Sequence, residues 1–521
     1  MASTDPSPSG TSGLRLLLRP YRWRIAGAVG LAAITAAPSF MTMIIIGFVV
    51  DAVRAGDSAQ VVRWSLTLAG VAVIAALLWI PRAWAVSHVA VDTEASIRMR
   101  FFDRVLRADL TTIDTLDVGQ VVSRGTADLR LIRSFLTDGV AVTGQVVAGY
   151  AYLVVTAGYR HPLLGLATLV PVLLVLTLAL LRIRTDTRAP TVARGLIGDA
   201  TTGIDECLEA IDVIRSDNAR DRAYARISAL VERARQALTP VIARNAAFTA
   251  VLTAIPYLAF AGVLAAGAAL LARGDAVSLG GLVTVSLLML QVAAPTTALG
   301  STVGSAQEAV AAADRIDDVL AWPDAAGDPR QQASQLDVQD LTVNTTQGPL
   351  LRGIDLQLSA PASLGIQGDA GSGKTTLVRA LHGLHPQVSG TLAVPKTTLV
   401  TSDDAVFSGT LRDAVTYGRP DATDEQVAEA ARRSCFDQVV AALPHGWDTP
   451  IGGTGGAVLS GGEVQRLRLA RGLLMDAPVM LLDSVTVGLD AATLATVEGG
   501  IAEQSQGRML VTVATHDSNL G

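Results

Sequence analysis

Lysine is nearly missing from this chain. Among 521 residues only Lys374 and Lys396 are lysines, and every other basic side chain except histidine is arginine. A lysine-rich tail is excluded. The arginines flank apolar runs, as the positive-inside rule places them, and form no nucleic-acid-binding face, so no nucleic-acid partner is expected. The bias of Arg over Lys fits a GC-rich genome and is not read as function. Cysteine is equally scarce. Cys207 and Cys435 lie far apart with no Cys or His spacing around them, which excludes a disulfide framework and a zinc site. Aromatic residues make up 4%, so the apolar mass is Ala, Val, Leu and Ile. Charge is thin as well: 17% of residues are charged, 50% are hydrophobic, and mean hydropathy is +0.41. Soluble domains carry about 25% charged residues, so this composition points to membrane segments. The net charge of −6 is uneven, with arginines crowding the first third and a more acidic part beyond about Ala321. Residues 1–13 are small and polar, lack a signal-peptide layout and read as a disordered tail.

What is present is organised in two halves. Six runs carry no charge: 25–50, 64–80, 140–159, 163–181, 246–272 and 277–303. A helix needs about 20 apolar residues to cross a bilayer. Arg15, Arg19, Arg22 and Arg24 precede the first run, Tyr21 and Trp23 sit where interfacial anchors belong, and 14–19 reads as a short amphipathic helix on the membrane. Short links at Arg160-His161-Pro162 and Arg273-Gly274-Asp275 join neighbouring runs, while 82–107 and 182–244 are long arginine-bearing helical stretches. The expected arrangement is an all-α six-helix transmembrane domain over 14–320, with three outward hairpins and two long cytoplasmic excursions. The spanning cores hold no charge, and polar candidates such as Thr42, Asn245 and Gln291 are few. An apolar cavity and a lipophilic substrate are therefore expected. Residues 321–335, rich in Pro, Asp, Gln, Ala and Gly, read as a linker. From 336 to 521 short apolar strands, glycine turns and helical stretches alternate, as in an α/β domain.

Gly368-Asp369-Ala370-Gly371-Ser372-Gly373-Lys374-Thr375-Thr376 fits the P-loop pattern G-x-x-x-x-G-K-[ST]. Glycines let the backbone bend tightly and its N–H groups cradle phosphate oxygens. Lys374 adds a point charge for the β- and γ-phosphates, and the Thr375 hydroxyl is suited to Mg²⁺. The apolar stretch 362–366 before the loop and the helical run after it supply the strand–loop–helix context. Downstream, Val479-Met480-Leu481-Leu482-Asp483 is an apolar strand ending in a carboxylate, the Walker B arrangement, with Asp483 placed to hold Mg²⁺ across from Thr375.

Leu459-Ser460-Gly461-Gly462-Glu463 lies between these two motifs and opens a helical run through Arg471. It resembles the signature loop of ATP-binding cassette (ABC) proteins. Asp490 resembles the D-loop aspartate, and His516, after the strand 509–513, resembles the switch histidine of the γ-phosphate. The first half resembles the six-helix domain of ABC exporters, through Val118-Gly119-Gln120-Val121-Val122-Ser123-Arg124 ahead of Asp128, and through Ala312-Ala313-Asp314-Arg315-Ile316. The resemblance implies a P-loop NTPase domain binding ATP and Mg²⁺ on the cytoplasmic side of a cell membrane. It also implies coupling helices near 109–117 and 216–224.

The sequence departs from the family pattern at four places. Ser484 follows the Walker B Asp where Glu normally polarises the attacking water; a positioned general base is worth about 10²–10⁴ in rate. Ser402 stands where the Q-loop glutamine is expected, and Asp403 and Asp404 lack the amide's reach. The segment 343–346 has no aromatic to stack on adenine, and Thr345 takes that place. Only five residues follow His516, so the cassette reads as short. Phosphate and Mg²⁺ ligands and signature residues are kept, while the base, the coupling glutamine and the adenine platform are lost. The family's cassettes dimerise head to tail, so the resemblance implies a heterodimeric exporter. This chain would hold a degenerate Walker site and lend its signature loop to a second half-transporter with an intact Walker B Glu. A slowly hydrolysing homodimer, a non-transporting ATP-sensing membrane protein and an importer are the alternatives.

Overall fold

The computed structural model describes residues 12–109, 118–184, 188–273, 277–324, 330–345, 348–369, 371–385, 388–453, 455–485 and 491–513. They fall into two compact units, one helical and one α/β.

The helical unit comprises α1 (Ser12–Leu18), α2 (Arg22–Arg54), α3 (Ser58–Arg107), α4 (Val118–Ser123), α5 (Leu129–Arg160), α6 (Pro162–Arg184), α7 (Arg188–Glu209), α8 (Ile211–Ser216), α9 (Arg220–Ala272) and α10 (Leu279–Leu320). Among the described residues six helices are long and apolar enough to cross a membrane, and each coincides with one of the six charge-free runs. Lipid offers no hydrogen bonds to an open backbone, so a spanning chain closes its own as helix. The 50 residues of α3 extend about 75 Å at 1.5 Å per residue, more than twice the hydrocarbon thickness of about 30 Å. The charged stretch after the second run is thus the same helix continued beyond the bilayer. The stretch 182–244 is not continuous: within its described residues it breaks at Ala210 and at a turn where Asn218 has φ 49°.

Small residues set the packing in the spanning half, as is usual where lipid removes any hydrophobic drive between helices. A Cβ on Gly280 would lie 2.0 Å from the Gly47 carbonyl oxygen, and one on Gly144 2.7 Å from the Ala32 side chain. The close approach of α2 and α10 brings the Asp51 carboxylate onto the start of α10. It accepts the Gly280 N–H at 2.7 Å and the Ser278 hydroxyl at 2.8 Å. On α3 the apolar window has no buried residue. Its half-buried positions, Trp64, Leu68, Val71, Ala75 and Leu78, form one stripe. That stripe continues to Arg82, which is 9% exposed and, with the Gln145 amide turned so that its oxygen faces the guanidinium, pairs with that oxygen at 2.6 and 2.9 Å. Further along, buried Glu94 receives Arg98 at 2.5 Å and Arg133 at 3.1 Å. The two exporter-like marks of the first half meet: buried Asp128, at the end of a π-turn over Arg124–Asp128, takes the Arg315 fork at 2.8 and 2.5 Å.

In the α/β unit, β1 (Leu336–Thr345), β2 (Gly348–Leu358) and β4 (Val388–Ala393) form an antiparallel sheet in the order β2-β1-β4. β3 (Ala362–Ile366), β5 (Thr397–Thr401), β8 (Val479–Asp483) and β9 (Met509–Val513) form a parallel sheet in the order β3-β9-β8-β5, and the short β6 (Gly409–Thr410) and β7 (Pro450–Ile451) pair antiparallel. Helix α11 (Lys374–His382) packs Val378 and Leu381 into a core with Leu336, Leu341, Leu481 and Val511. The other core joins Met480, Leu482 and Leu510 to Val427 of α13 (Asp424–Arg433), Phe436 of α14 (Phe436–Ala442), Leu467 of α15 (Gly461–Leu474) and Val497 of α16 (Ala491–Gln504), with Leu411 of α12 (Leu411–Thr416). Strand β8 thus buries alternate residues on opposite sides, which is why it reads as an unbroken apolar run.

Candidate functional site

All four strands of the parallel sheet end on one edge. The register aligns Ile366 with Val513, Val513 with Asp483, and Asp483 with Thr401. In open α/β sheets the carboxyl edge is where ligands bind. Here it gathers the phosphate loop after β3, the Walker B carboxylate ending β8 and the Ser402 loop after β5. Asp490 and His516, the D-loop and switch candidates, lie outside the described residues, as does Ala370.

The phosphate loop is built as its glycines require. Gly371 and Gly373 have φ 81° and 91°, left-handed values that cost a residue with Cβ about 1–2 kcal/mol. Gly373 is the N-cap of α11, so the first N–H groups of the helix, at Lys374, Thr375 and Thr376, open toward the loop. Lys374 Nζ donates to the carbonyls of Gly368 and Asp369 at 2.7 and 2.8 Å, which holds the ammonium across the loop's mouth. Ser372 N donates to the Asp369 carbonyl at 3.2 Å, closing the turn. A cation, a row of N–H groups and a helix N-terminus fit a polyphosphate. The Thr375 hydroxyl and the buried Asp483 carboxylate are hard oxygen donors of the kind Mg²⁺ takes.

Ser484 has φ 55° and donates its hydroxyl to Asp483 Oδ1 at 3.1 Å. A hydroxyl donating to the neighbouring carboxylate is not a proton acceptor at neutral pH. Gln465 of α15 donates to the Val485 carbonyl at 2.5 Å and approaches that of Ser484 at 3.4 Å. The adenine side is likewise spare: Val343 is buried in the core, β1 ends at Thr345, and the Thr345 side chain is outside the described residues.

The signature loop opens α15. Ser460 is its N-cap and forms a capping box, with the Glu463 carboxylate accepting the Ser460 N–H at 2.7 Å and the Ser460 hydroxyl accepting the Glu463 N–H at 3.4 Å. The Ser460 N–H bond holds the Glu463 carboxyl below its ordinary range, and a carboxylate in the first turn suits the helix dipole. Ser460 and Gly461 are exposed, and Val458 just before them is 95% exposed.

Three contacts escaped the sequence reading. Arg82–Gln145 and Asp51–Ser278 are two. The third joins the Ser402 loop to α15. Arg468 donates to the carbonyls of Ser402 and of Asp404, the latter at 2.6 Å. Arg471 donates to the Ala405 carbonyl and the Asp404 carboxylate, each at 3.0 Å. The Thr401 hydroxyl donates to Asp404 at 2.6 Å.

Membrane-crossing helices fused to a P-loop sheet with a signature helix define a membrane-bound P-loop NTPase. The family model of the ABC transporter transmembrane region matches residues 25–296, and the ABC transporter model matches 351–487. The chain belongs to the ABC transporters, in the exporter-type arrangement of a transmembrane domain fused to an ATP-binding cassette. It is a multi-pass membrane protein with the cassette on the cytoplasmic side. It is similar to a multidrug efflux ATP-binding/permease protein of Mycobacterium bovis (strain BCG / Pasteur 1173P2), at 29% identity covering 97% of this chain and 44% of that protein. It is also similar to an ATP-dependent lipid A-core flippase of Chromobacterium violaceum, at 26% identity over 87% of this chain and 81% of that one. A third relative, a fatty acid ABC transporter ATP-binding/permease protein of Mycobacterium bovis (strain ATCC BAA-935 / AF2122/97), is 26% identical over 86% of this chain and 74% of its own length. The chain thus spans under half the length of the first of these relatives.

Proposed function

We propose that this chain is one half of an ATP-driven exporter, working with a second, non-identical half-transporter whose Walker B aspartate is followed by glutamate. The observation that carries the reading is Ser484: the position of the water-activating base holds a hydroxyl that donates to Asp483. Phosphate ligands Gly368, Asp369, Ala370, Gly371, Ser372, Gly373, Lys374, Thr375 and Thr376 and metal ligands Thr375 and Asp483 are kept, so the site holds Mg-ATP and turns it over slowly. Ser460, Gly461, Gly462 and Glu463 serve a nucleotide on the partner, with Asp490 and His516 at the same interface. The exposure of Ser460, Gly461 and Val458 supports a face made for another protein. The 44% coverage of the first relative leaves room in one chain for a second unit of this size.

The substrate class is lipophilic. An apolar cavity of about 510 Å³ lies among α5, α6 and α10, lined by Val146, Val147, Val154, Val172, Val175 and Leu176, within the usual range of small-molecule sites. The Tyr150 hydroxyl at its wall is turned to Thr296 at 2.8 Å. The names of the relatives, multidrug efflux, lipid A-core flippase and fatty acid transporter, lean the same way. The test is ATPase activity of the purified chain alone. Little turnover is expected, and robust hydrolysis from a clean homodimer overturns the reading. Transport of fluorescent amphiphiles into vesicles by the complex tests the substrate class.

A further inference from the structure

We infer that Asp404, Arg468 and Arg471 form a clamp that positions the signature helix for catalysis, in place of the linkage lost with the glutamine at Ser402. The inference rests on the reading that Ser460–Glu463 serve a nucleotide across a cassette interface. Arg468 and Arg471 are three residues apart on α15 and so share one face. Together they donate to the carbonyls of Ser402, Asp404 and Ala405 and to the Asp404 carboxylate. Asp404 is the hub, because its other oxygen takes the Thr401 hydroxyl at 2.6 Å. Thr401 ends β5 and is the register partner of Asp483 on β8. A short chain of bonds therefore runs from the Walker B carboxylate's strand through Thr401 and Asp404 into the signature helix.

A second tether reaches the same helix nearer its start. The buried Gln465 carboxamide donates to the Val485 carbonyl, just past Ser484. Residues 465 and 471 are separated by about 9 Å along a helix axis. A helix fixed at two levels does not tilt independently of the strand ends that fix it. Charge-assisted bonds are shorter and roughly twice as strong as neutral ones, and this clamp has four from two guanidinium groups. Side chains at Arg471 and Asp404 are 17% and 27% exposed, so water screens the pair only partly. The Ser460 loop is thereby held in one place relative to Asp483, and nucleotide held at the Walker side of this chain sets the signature presented to the other site.

Asp404, Arg468 and Arg471 are positioning residues, since none touches the reacting atoms. The complex would be purified through a tag on this chain from its native host, and kcat and KM for ATP measured for Asp404→Ala, Arg468→Ala and the double variant. Each single change is expected to lower kcat about 5–20-fold with KM within about twofold, a loss of orientation rather than of binding. The double variant is expected to fall no further than the worse single one, because both act through one clamp. Asp404→Asn, which keeps the shape and one acceptor oxygen, is expected to recover at least half of wild-type kcat and guards against simple misfolding. Hydrogen exchange at amides 460–467 in Mg-ATP is expected to quicken in Asp404→Ala. Unchanged kcat per folded complex with only a lower melting temperature overturns the inference, as does a raised KM at unchanged kcat. If the chain alone hydrolyses as fast as the complex, the two-chain reading fails, and the clamp is then judged by the same kcat measurements on that homodimer.

Discussion

The Ser484 hydroxyl donates to the Asp483 carboxylate at 3.1 Å, at the carboxyl edge of the parallel sheet. The side chain that follows the metal-ligand candidate is therefore committed to orienting it. Replacing Ser484 with Glu supplies the missing proton acceptor. ATPase activity of the purified chain is expected to rise at least tenfold, short of the full 10²–10⁴ of a positioned base, because the Ser402 loop and the adenine side are unchanged. A steady-state phosphate-release assay checks it, and no increase would mean that the base is not what limits this site.

Ser460 and Ser484 should separate the two nucleotide sites. Ser460→Arg puts a long cation into the exposed signature loop and is expected to abolish turnover in the complex. Ser484→Ala is expected to leave turnover within about twofold, since the hydroxyl is not a base. Both are read from kcat of the complex, and the opposite ranking would assign hydrolysis to this chain's own Walker side.

Asp51 ties the end of α2 to the start of α10 through the Gly280 N–H and the Ser278 hydroxyl. Asp51→Ala leaves both donors without that acceptor, a loss of about 1–3 kcal/mol. Ser278→Ala, which removes the N-cap bond to Gly281 as well, is expected to cost about 0.5–2 kcal/mol. Thermal unfolding of the detergent-solubilised chain reads both, and equal melting temperatures for wild type and Asp51→Ala would remove this contact from the determinants of the bundle.

Glu463 predicts a pH dependence with a definite sign. Its carboxyl is held below the ordinary value of 4.5 by the Ser460 N–H. A carboxyl lowered on folding contributes stability that is full above its unfolded pKa and is lost as pH falls through the folded one. Glu463→Gln accepts the same N–H without titrating. As pH falls from about 5 to about 3 the wild-type cassette is expected to lose more thermal stability than Glu463→Gln. Parallel curves for the two would show that the bond is not titrated in that range.

Much of this architecture is legible in the residues, and the exceptions share a cause. The six spans follow from charge-free length alone, and β8 from an apolar run that both of its faces bury. The phosphate loop follows from glycines at fixed spacing. The row of strand ends does not, because β9 inserts between β3 and β8 although it is last in sequence. In sequence, Arg82 stands at the start of a polar stretch. Only the stripe through Trp64, Leu68, Val71, Ala75 and Leu78 reveals that it faces inward, to Gln145. Asp404 reads in sequence as too short to reach a nucleotide, whereas its partner Arg471 lies 67 residues away on α15.

The bare apolar stretch of α3 has a consequence for how this protein can vary. Leu66, Val73, Leu77 and Ile80 are largely exposed on the isolated chain, so no neighbouring side chain within it measures their size. Substitutions among aliphatic residues there are close to silent for the fold. A charge at the same positions meets hydrocarbon, at about 2.5–3.5 kcal/mol by insertion scales. The second span is therefore constrained in polarity by its surroundings and nearly unconstrained in shape by its own chain, leaving its outward contour free to be fitted to whatever it borders.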